Sequence, residues 1–274
     1  MSNHLRKATF EEYKQTVLEL LKHIHKVCEE NNIRYTIAYG TLLGAVRHQG
    51  FIPWDDDVDI CIPREDYDRF VKAFTSLDGR YYVLDSKSSP NYYNQMSRAC
   101  DSSMLLKLHD VENIENLGAF VDVFILDKWP EDPDERAKIR KEYLIAQQNV
   151  RNALPWKILR TMRFKKKIKT LLQFRLRYTN RYKVGLQKRK DERDAILVRY
   201  NNQNTGYRTA ISVSCKWVMR EENIDKRILL SFEDTKVYAF ANYDDLLTQH
   251  FGDYMKLPPE EKRVSKHHFV PYWR

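Results

Sequence analysis

What this chain of 274 residues lacks narrows its class before any motif is read. No apolar run approaches the ~20 residues that a membrane-spanning helix needs. The first residues, MSNHLRKATFEEYK, lack the apolar stretch of a secretory signal, so a cytoplasmic protein is the expectation. There is no C-x-x-C pair. Cys28, Cys61, Cys100 and Cys215 are scattered, which fits neither a zinc site nor a small disulfide framework and leaves buried thiols as their expected state. No internal repeat or low-complexity linker appears. One stretch lacks acid altogether: between Arg151 and Lys190 there are fifteen Lys or Arg and no Asp or Glu.

That last absence locates the charge. The net charge of +9 resides in one segment, and the rest of the chain holds more acid than base. With 42% apolar residues and 12% aromatics, the chain can bury a large core. Thr9 followed by Glu12 reads as a capping box that opens a helix, with Phe10, Tyr13, Val17, Leu20, Leu21, Ile24, Val27 and Cys28 as its stripe and an end near Asn31-Asn32. Residues 33–38 read as a strand, Leu42 to Arg47 as a short helix, and Pro63 as a residue of the first turn of another helix. Further strands are expected at 80–85, 94–100, 103–108, 207–214 and 227–240. Helix is expected from about 134 to 199, interrupted at Pro155 and Gly185, and from Tyr243 to Phe251.

The chemistry concentrates in Asp55-Asp56-Asp57-Val58-Asp59-Ile60-Cys61-Ile62. Read as a strand, this places Val58, Ile60 and Ile62 on one face and Asp55, Asp57 and Asp59 on the other, with Asp56 pointing away. Carboxylates so close repel one another, and a divalent cation is the usual compensation. Mg²⁺, or Mn²⁺, suits one or two carboxylates together with substrate phosphates. A solvated acidic turn or a calcium loop is the plainer alternative, but Ile60-Cys61-Ile62 continues as a buried strand and no Gly or distant Glu completes the calcium pattern. Asp122 interrupts the apolar run from Ala119 to Leu126. An ionised carboxylate there is costly to bury unless it is a third metal ligand or pairs with a core residue such as Arg98.

The stretch Tyr39-Gly40-Thr41-Leu42-Leu43-Gly44-Ala45-Val46-Arg47, followed by Phe51-Ile52-Pro53-Trp54-Asp55-Asp56-Asp57-Val58-Asp59-Ile60, resembles the signature of the LicD family of phosphocholine transferases. Relatives of fukutin, which transfer ribitol phosphate, share it. The tail from Phe251 through Leu257-Pro258-Pro259 to Arg263 is similar to the family's closing motif, so the likeness frames nearly the whole chain. The resemblance implies an α/β (α+β) fold: a nucleotidyltransferase-like mixed sheet flanked by helices. It implies a core over residues 1–133, a basic helical subdomain over 134–200 and a C-terminal part over 201–274 that completes the core. Gly40-Thr41 would touch the donor phosphates, Asp57 and Asp59 would bind the metal, and Asp122 would be the third acid. The family's reaction would send a sugar hydroxyl, deprotonated by Asp122 or on the metal, to the β-phosphorus of CDP-choline. CMP would leave with its charge held by the metal and by Arg47 or Arg98. A choline headgroup makes no conventional hydrogen bonds and asks for aromatic faces, for which Trp54, Tyr39, Tyr92 and Tyr93 are the candidates.

Two departures are visible. Thr41 stands where the wider superfamily prefers Ser or Gly, and the spacer from Thr41 to Asp57 is long for it; both weaken a polymerase-like reading more than a LicD-like one. The basic segment, with Trp156, Ile158, Leu159, Met162 and Phe164 among its apolar residues, suits an amphipathic helix on an anionic membrane surface. Nucleic acid is the less favoured polyanion. The expected partners are therefore a CDP-choline donor, a lipid-linked glycan acceptor such as a teichoic acid precursor, and the inner face of the membrane. Rival readings are transfer of ribitol or glycerol phosphate, transfer of a nucleoside monophosphate, and a basic membrane-surface binder without catalysis. His267-His268 in the tail is a further candidate phosphate contact or base.

Overall fold

The computed structural model describes residues 5–89, 92–108, 114, 116–153, 185–210, 217–264 and 269–274. Most of the basic segment, Cys215, Pro155 and the His267-His268 pair lie outside these residues. The fold is α+β. In chain order the helices are α1 (Phe10–Glu30), α2 (Tyr39–His48), α3 (Arg64–Phe74), α4 (Pro133–Asn152), α5 (Leu186–Leu197) and α6 (Tyr243–Phe251). The strands are β1 (Arg6–Lys7), β2 (Thr36–Ile37), β3 (Asp59–Pro63), β4 (Tyr81–Leu84), β5 (Ser97–Asp101), β6 (Met104–Leu108), β7 (Ala119–Trp129), β8 (Tyr207–Thr209), β9 (Met219–Arg220), β10 (Arg227–Phe232), β11 (Thr235–Phe240) and β12 (Phe269–Trp273).

The main sheet runs β2-β3-β7-β5-β4, with β8 and β9 added on β7. Its centre is β7, the longest strand, whose first five residues are all buried. It pairs in parallel with β3 and antiparallel with β5, and its last residues continue into a ladder with β8. A strand covered on both faces reads as a continuous apolar run rather than as an alternation, and Phe120-Val121-Asp122-Val123 has that form. Helix α1 packs against β7 through a stripe that includes Tyr13, Val17, Leu20, Leu21 and Ile24. Both halves of its capping box are present: Glu12 N donates to Thr9 Oγ1 at 3.1 Å and Thr9 N to Glu12 Oε2 at 2.8 Å. A second sheet, β1-β12-β6, closes one side, and the β10–β11 hairpin covers another.

Ion pairs tie the late chain to the core. Arg64, at the start of α3, holds Asp127 of β7 at 2.7 Å, and Asn201 donates to the same carboxylate. Arg208 of β8 reaches both Glu65 and Glu221. Removing the exposed partner would leave the buried member, Asp127 or Arg208, as an unpaired charge.

Three expectations need correction. The 33–38 strand shrinks to Thr36–Ile37. Pro63 is the last residue of β3 and precedes α3 instead of lying in its first turn. Within the stretch expected to be helical from 134 to 199, the described residues form α4 and α5, which pack against each other around Trp129, Ile139, Tyr143 and Leu197, and Gly185 stands at the start of α5; residues 154–184 lie outside the described residues. The acidic run is strand only from Asp59 onward. Residues 55–58 follow a turn at Pro53-Trp54 in irregular backbone, so period-two alternation does not govern Asp55, Asp56 and Asp57.

Candidate active site

The site is built where α2, β3 and β7 meet. Ala38 N donates to Asp59 O at 2.9 Å and so anchors the start of α2 to β3. Tyr39 then turns with a positive φ of 45°, a conformation that costs an ordinary residue about 1–3 kcal/mol and collects at functional sites. At Gly40 a Cβ would come within 2.8 Å of Asp55 Oδ2, so glycine lets the helix start approach the carboxylate. Thr41, buried, accepts a hydrogen bond from Asp59 N at 2.8 Å. The first turn of α2 therefore fixes the backbone of the acidic strand.

Asp59 and Asp122 face one another as register partners on the parallel strands β3 and β7, and the ladder extends to a bond from Asp122 N to Val58 O at 2.8 Å. Across β7, Asp122 is also the register partner of Arg98, whose Nε donates to Asp122 Oδ1 at 3.0 Å while its guanidinium lies 4.1 Å from the centre of the Phe120 ring. Oxygens of Asp55, Asp56 and Asp57 all lie within 4.8 Å of one another, a spacing one hard cation can span.

The electrostatics follow from this crowding. Asp57 is reached by solvent, yet the surrounding protein strips enough water from its carboxyl, with Asp122, Asp56 and Asp55 adding repulsion, to push it up to about 7. Asp59 is raised well above the usual carboxylate range by desolvation and by Asp122, Asp57 and Asp55. Asp55 moves up as well, chiefly by burial. An all-carboxylate donor set, crowded enough to raise Asp55, Asp57 and Asp59, fits a hard divalent cation.

A pocket of about 330 Å³ opens beside this cluster, lined by Trp54, Asp55, Asp56, Asp57, Lys262, Val264 and Phe269. Tyr13 of α1, fully buried, lies edge-on to the lining residue Phe269 at 4.8 Å, with a hydroxyl that has no hydrogen-bond partner among the described residues. The charges that face that hydroxyl are Asp57, Asp56, Asp122 and Arg98.

Comparison with known proteins gives the family. A family model described as LicD/FKTN/FKRP, nucleotidyltransferase domain, matches residues 32–142. The lipopolysaccharide cholinephosphotransferase LicD of Haemophilus influenzae is 30% identical over 280 residues, spanning 96% of this chain and 97% of that protein. The chain belongs to the LicD/FKTN/FKRP family. The human ribitol 5-phosphate transferase FKRP is 34% identical over 80 residues, 27% of this chain and 16% of that protein. An uncharacterized protein of Rickettsia prowazekii, RP689, is 34% identical over 116 residues, covering 42% and 41% of the two chains.

The LicD-type residues do not all converge. Asp59, Asp122 and Arg98 lie on neighbouring rungs of β3, β7 and β5, Asp57 feels the charge of Asp122 but groups at cation spacing with Asp55 and Asp56, Thr41 holds the backbone of Asp59, and Gly40 lies against Asp55. Arg47 turns toward the tail, donating Nη1 to Tyr254 O at 2.8 Å and Nε to His48 Nε2 at 3.0 Å. Among the four aromatic candidates Trp54 lines the pocket. Tyr39 packs on Phe124 and Trp217, and the buried Tyr92 and Tyr93 offer carbonyls to Lys190 and Arg193 of α5. Sequence reasoning missed Tyr13 and Phe269 as site residues and set Asp56 aside. Tyr13 carried only the signal of one polar atom within an apolar helical stripe.

Proposed function

We propose that this LicD-family chain is a metal-dependent phosphotransferase that moves phosphocholine from CDP-choline to a sugar hydroxyl of a cell-surface glycan precursor. The observation that carries the reading is the Asp55, Asp56 and Asp57 cluster lining a pocket, with Asp59 and Asp122 paired on the adjoining strands. The near full-length likeness to a protein named as a cholinephosphotransferase supports the choice of group.

Asp57, Asp59 and Asp122 would hold Mg²⁺ or Mn²⁺, with Asp55 and Asp56 at its other side. When bound, the ion draws in the donor phosphates and neutralises charge that develops on them. The chain's own residues do the rest. Asp122 takes the proton of the acceptor hydroxyl, and Arg98 holds that carboxylate in place. The acceptor oxygen forms a bond to the β-phosphorus as the bond from that phosphorus to the bridging oxygen breaks, and CMP departs with the electron pair. Thr41, through Asp59 N, keeps the strand in register during the exchange.

The basic segment would rest on the inner membrane face, where the lipid-linked acceptor lies. Among the described residues no helix is long and apolar enough to cross a membrane. Reversing Lys165, Lys166, Lys167 and Lys169 to Glu should weaken binding to anionic liposomes while sparing transfer to a short soluble acceptor. The deciding experiment is ³¹P NMR of the protein with CDP-choline, CDP-ribitol and CDP-glycerol and a glycolipid acceptor. CMP release with a new phosphodiester from CDP-choline supports the proposal. Exclusive use of CDP-ribitol would move the chain toward the FKRP chemistry, and pyrophosphate release with a nucleotide on the acceptor would overturn phosphocholine transfer.

A further inference from the structure

Basic residues of the tail also border the pocket. Arg34, Arg64, Arg98, Arg193 and Arg208 each have a carboxylate partner within 3.1 Å. Arg47, Lys262 and Arg263 break this pattern: none has a carboxylate partner among the described residues. Arg47 and Arg263 each spend donors on tail carbonyls, Arg47 on Tyr254 O and Arg263 Nε on Pro258 O at 2.7 Å. Neither bond supplies a counter-charge. The two guanidinium groups are close enough that the charge of Arg263, after desolvation, lowers the pKa of Arg47. Arg263 also lies 6.0 Å from the centre of the Trp54 ring, and Trp54 and Lys262 line the same pocket as Asp55, Asp56 and Asp57.

The pocket is thus bordered both by carboxylates and by cations that have no carboxylate partner among the described residues. A bare cation needs only the carboxylates. A bare phosphate would meet repulsion from them. A diphosphate carrying a divalent cation satisfies both sets at once, because the cation meets the carboxylates and the remaining phosphate oxygens meet guanidinium and ammonium donors. We infer that Arg263 and Lys262, with Arg47 behind them, bind the diphosphate of the nucleotide donor, so that the C-terminal tail is a wall of the active site. This deepens the transferase reading and rests on it for the identity of the donor, though not for the diphosphate chemistry.

The test uses the full chain with CDP, CMP and inorganic pyrophosphate as probes, each in Mg²⁺, followed by calorimetry. Arg263→Gln and Lys262→Gln should each weaken CDP and pyrophosphate about tenfold or more, as loss of a charge-assisted contact does. CMP should lose less than CDP, and Arg263→Lys should restore part of the affinity. Lys256→Gln, an exposed tail substitution, should bind as wild type does. In kinetics Arg263→Gln should raise the KM for the donor and leave that of the acceptor unchanged. Unaltered CDP binding in both Gln variants, at unchanged Tm, would overturn the inference. A raised acceptor KM with normal CDP binding would do so too, by assigning the wall to an acceptor phosphate. If no CDP-alcohol supports transfer but CDP and pyrophosphate still bind through Arg263, the wall stands and the transferase reading falls.

Discussion

Asp59 and Asp122 occupy the same rung of the parallel β3–β7 ladder, and Asp122 alone of the two is countered by a guanidinium, that of Arg98 at 3.0 Å. Arg98 lies across β7 from Asp59, so ionising both carboxylates in this desolvated place would leave a net negative charge. This asymmetry makes the two residues separable by experiment.

Asp59→Asn removes repulsion and should leave the metal-free protein as stable as wild type or slightly more so. Asp122→Asn strands the Arg98 charge and should cost about 1–3 kcal/mol. Both should lower transfer about a thousandfold or more, since a bound metal supplies several kcal/mol of charge stabilisation. Thermal melts without metal, set beside turnover at saturating Mg²⁺, check the pair. Near wild-type turnover in either variant would remove that residue from the site.

The pH dependence follows from Asp57, whose carboxyl is pushed up to about 7 by desolvation and by Asp122, Asp56 and Asp55. A carboxyl raised in the folded state contributes stability that is complete below its unfolded value near 4 and is lost as pH rises through about 7. Metal-free wild type should therefore lose stability over that window, and Asp57→Asn should lose less. The Tm difference in favour of Asp57→Asn should be larger at pH 8 than at pH 5. Added Mg²⁺ should raise the Tm of wild type at pH 8 and have little effect on the variant. An equal Tm difference at both pH values would show that Asp57 ionises normally.

Gly40 gives a test of geometry without charge. Alanine there gains up to about 1 kcal/mol of helix propensity but places a methyl 2.8 Å from Asp55 Oδ2. The carboxylate is the mobile end of a side chain and can yield, so Gly40→Ala should fold with little change in Tm. Displacing Asp55 should raise the Mg²⁺ concentration needed for half-maximal transfer about tenfold, in the range seen when groups around a metal are disturbed. A metal titration of activity decides it, and an unchanged midpoint would show that Asp55 takes no part.

Much of this arrangement was legible from sequence because it is local. The Thr9–Glu12 box and the apolar stripe define α1, and the bounds of α6 match the Tyr243–Phe251 expectation. The lone acid in the Ala119–Leu126 run marked Asp122, and Arg98 as its partner was the alternative weighed from the same residues. Strand alternation failed at Asp56, because alternation holds only where the backbone is extended and the chain is irregular until Asp59. Strand β12 escaped notice because Pro271 sits in its middle and proline demotes a strand in any local reading. It nonetheless pairs with β6 and brings Phe269 into the pocket wall, a contact that only the chain's return can make.

Tyr13 supplies the last prediction. Its hydroxyl is fully buried, has no hydrogen-bond partner among the described residues and faces the charges of Asp57, Asp56 and Asp122. A buried hydroxyl left unpaired costs about 1–3 kcal/mol, so removing it without changing the ring should be neutral or stabilising for the metal-free protein. If the hydroxyl acts as a donor to the site once metal and donor are bound, that saving turns into a loss. Tyr13→Phe should then melt at or above the wild-type temperature without metal, gain less than wild type when Mg²⁺ and CDP are added, and turn over about tenfold more slowly, near one hydrogen bond to a charged group. The ring's edge-on contact with Phe269 is kept in the variant, so packing does not confuse the result. Equal gains in Tm on adding Mg²⁺ and CDP, with equal turnover, would reduce Tyr13 to a packing residue of α1.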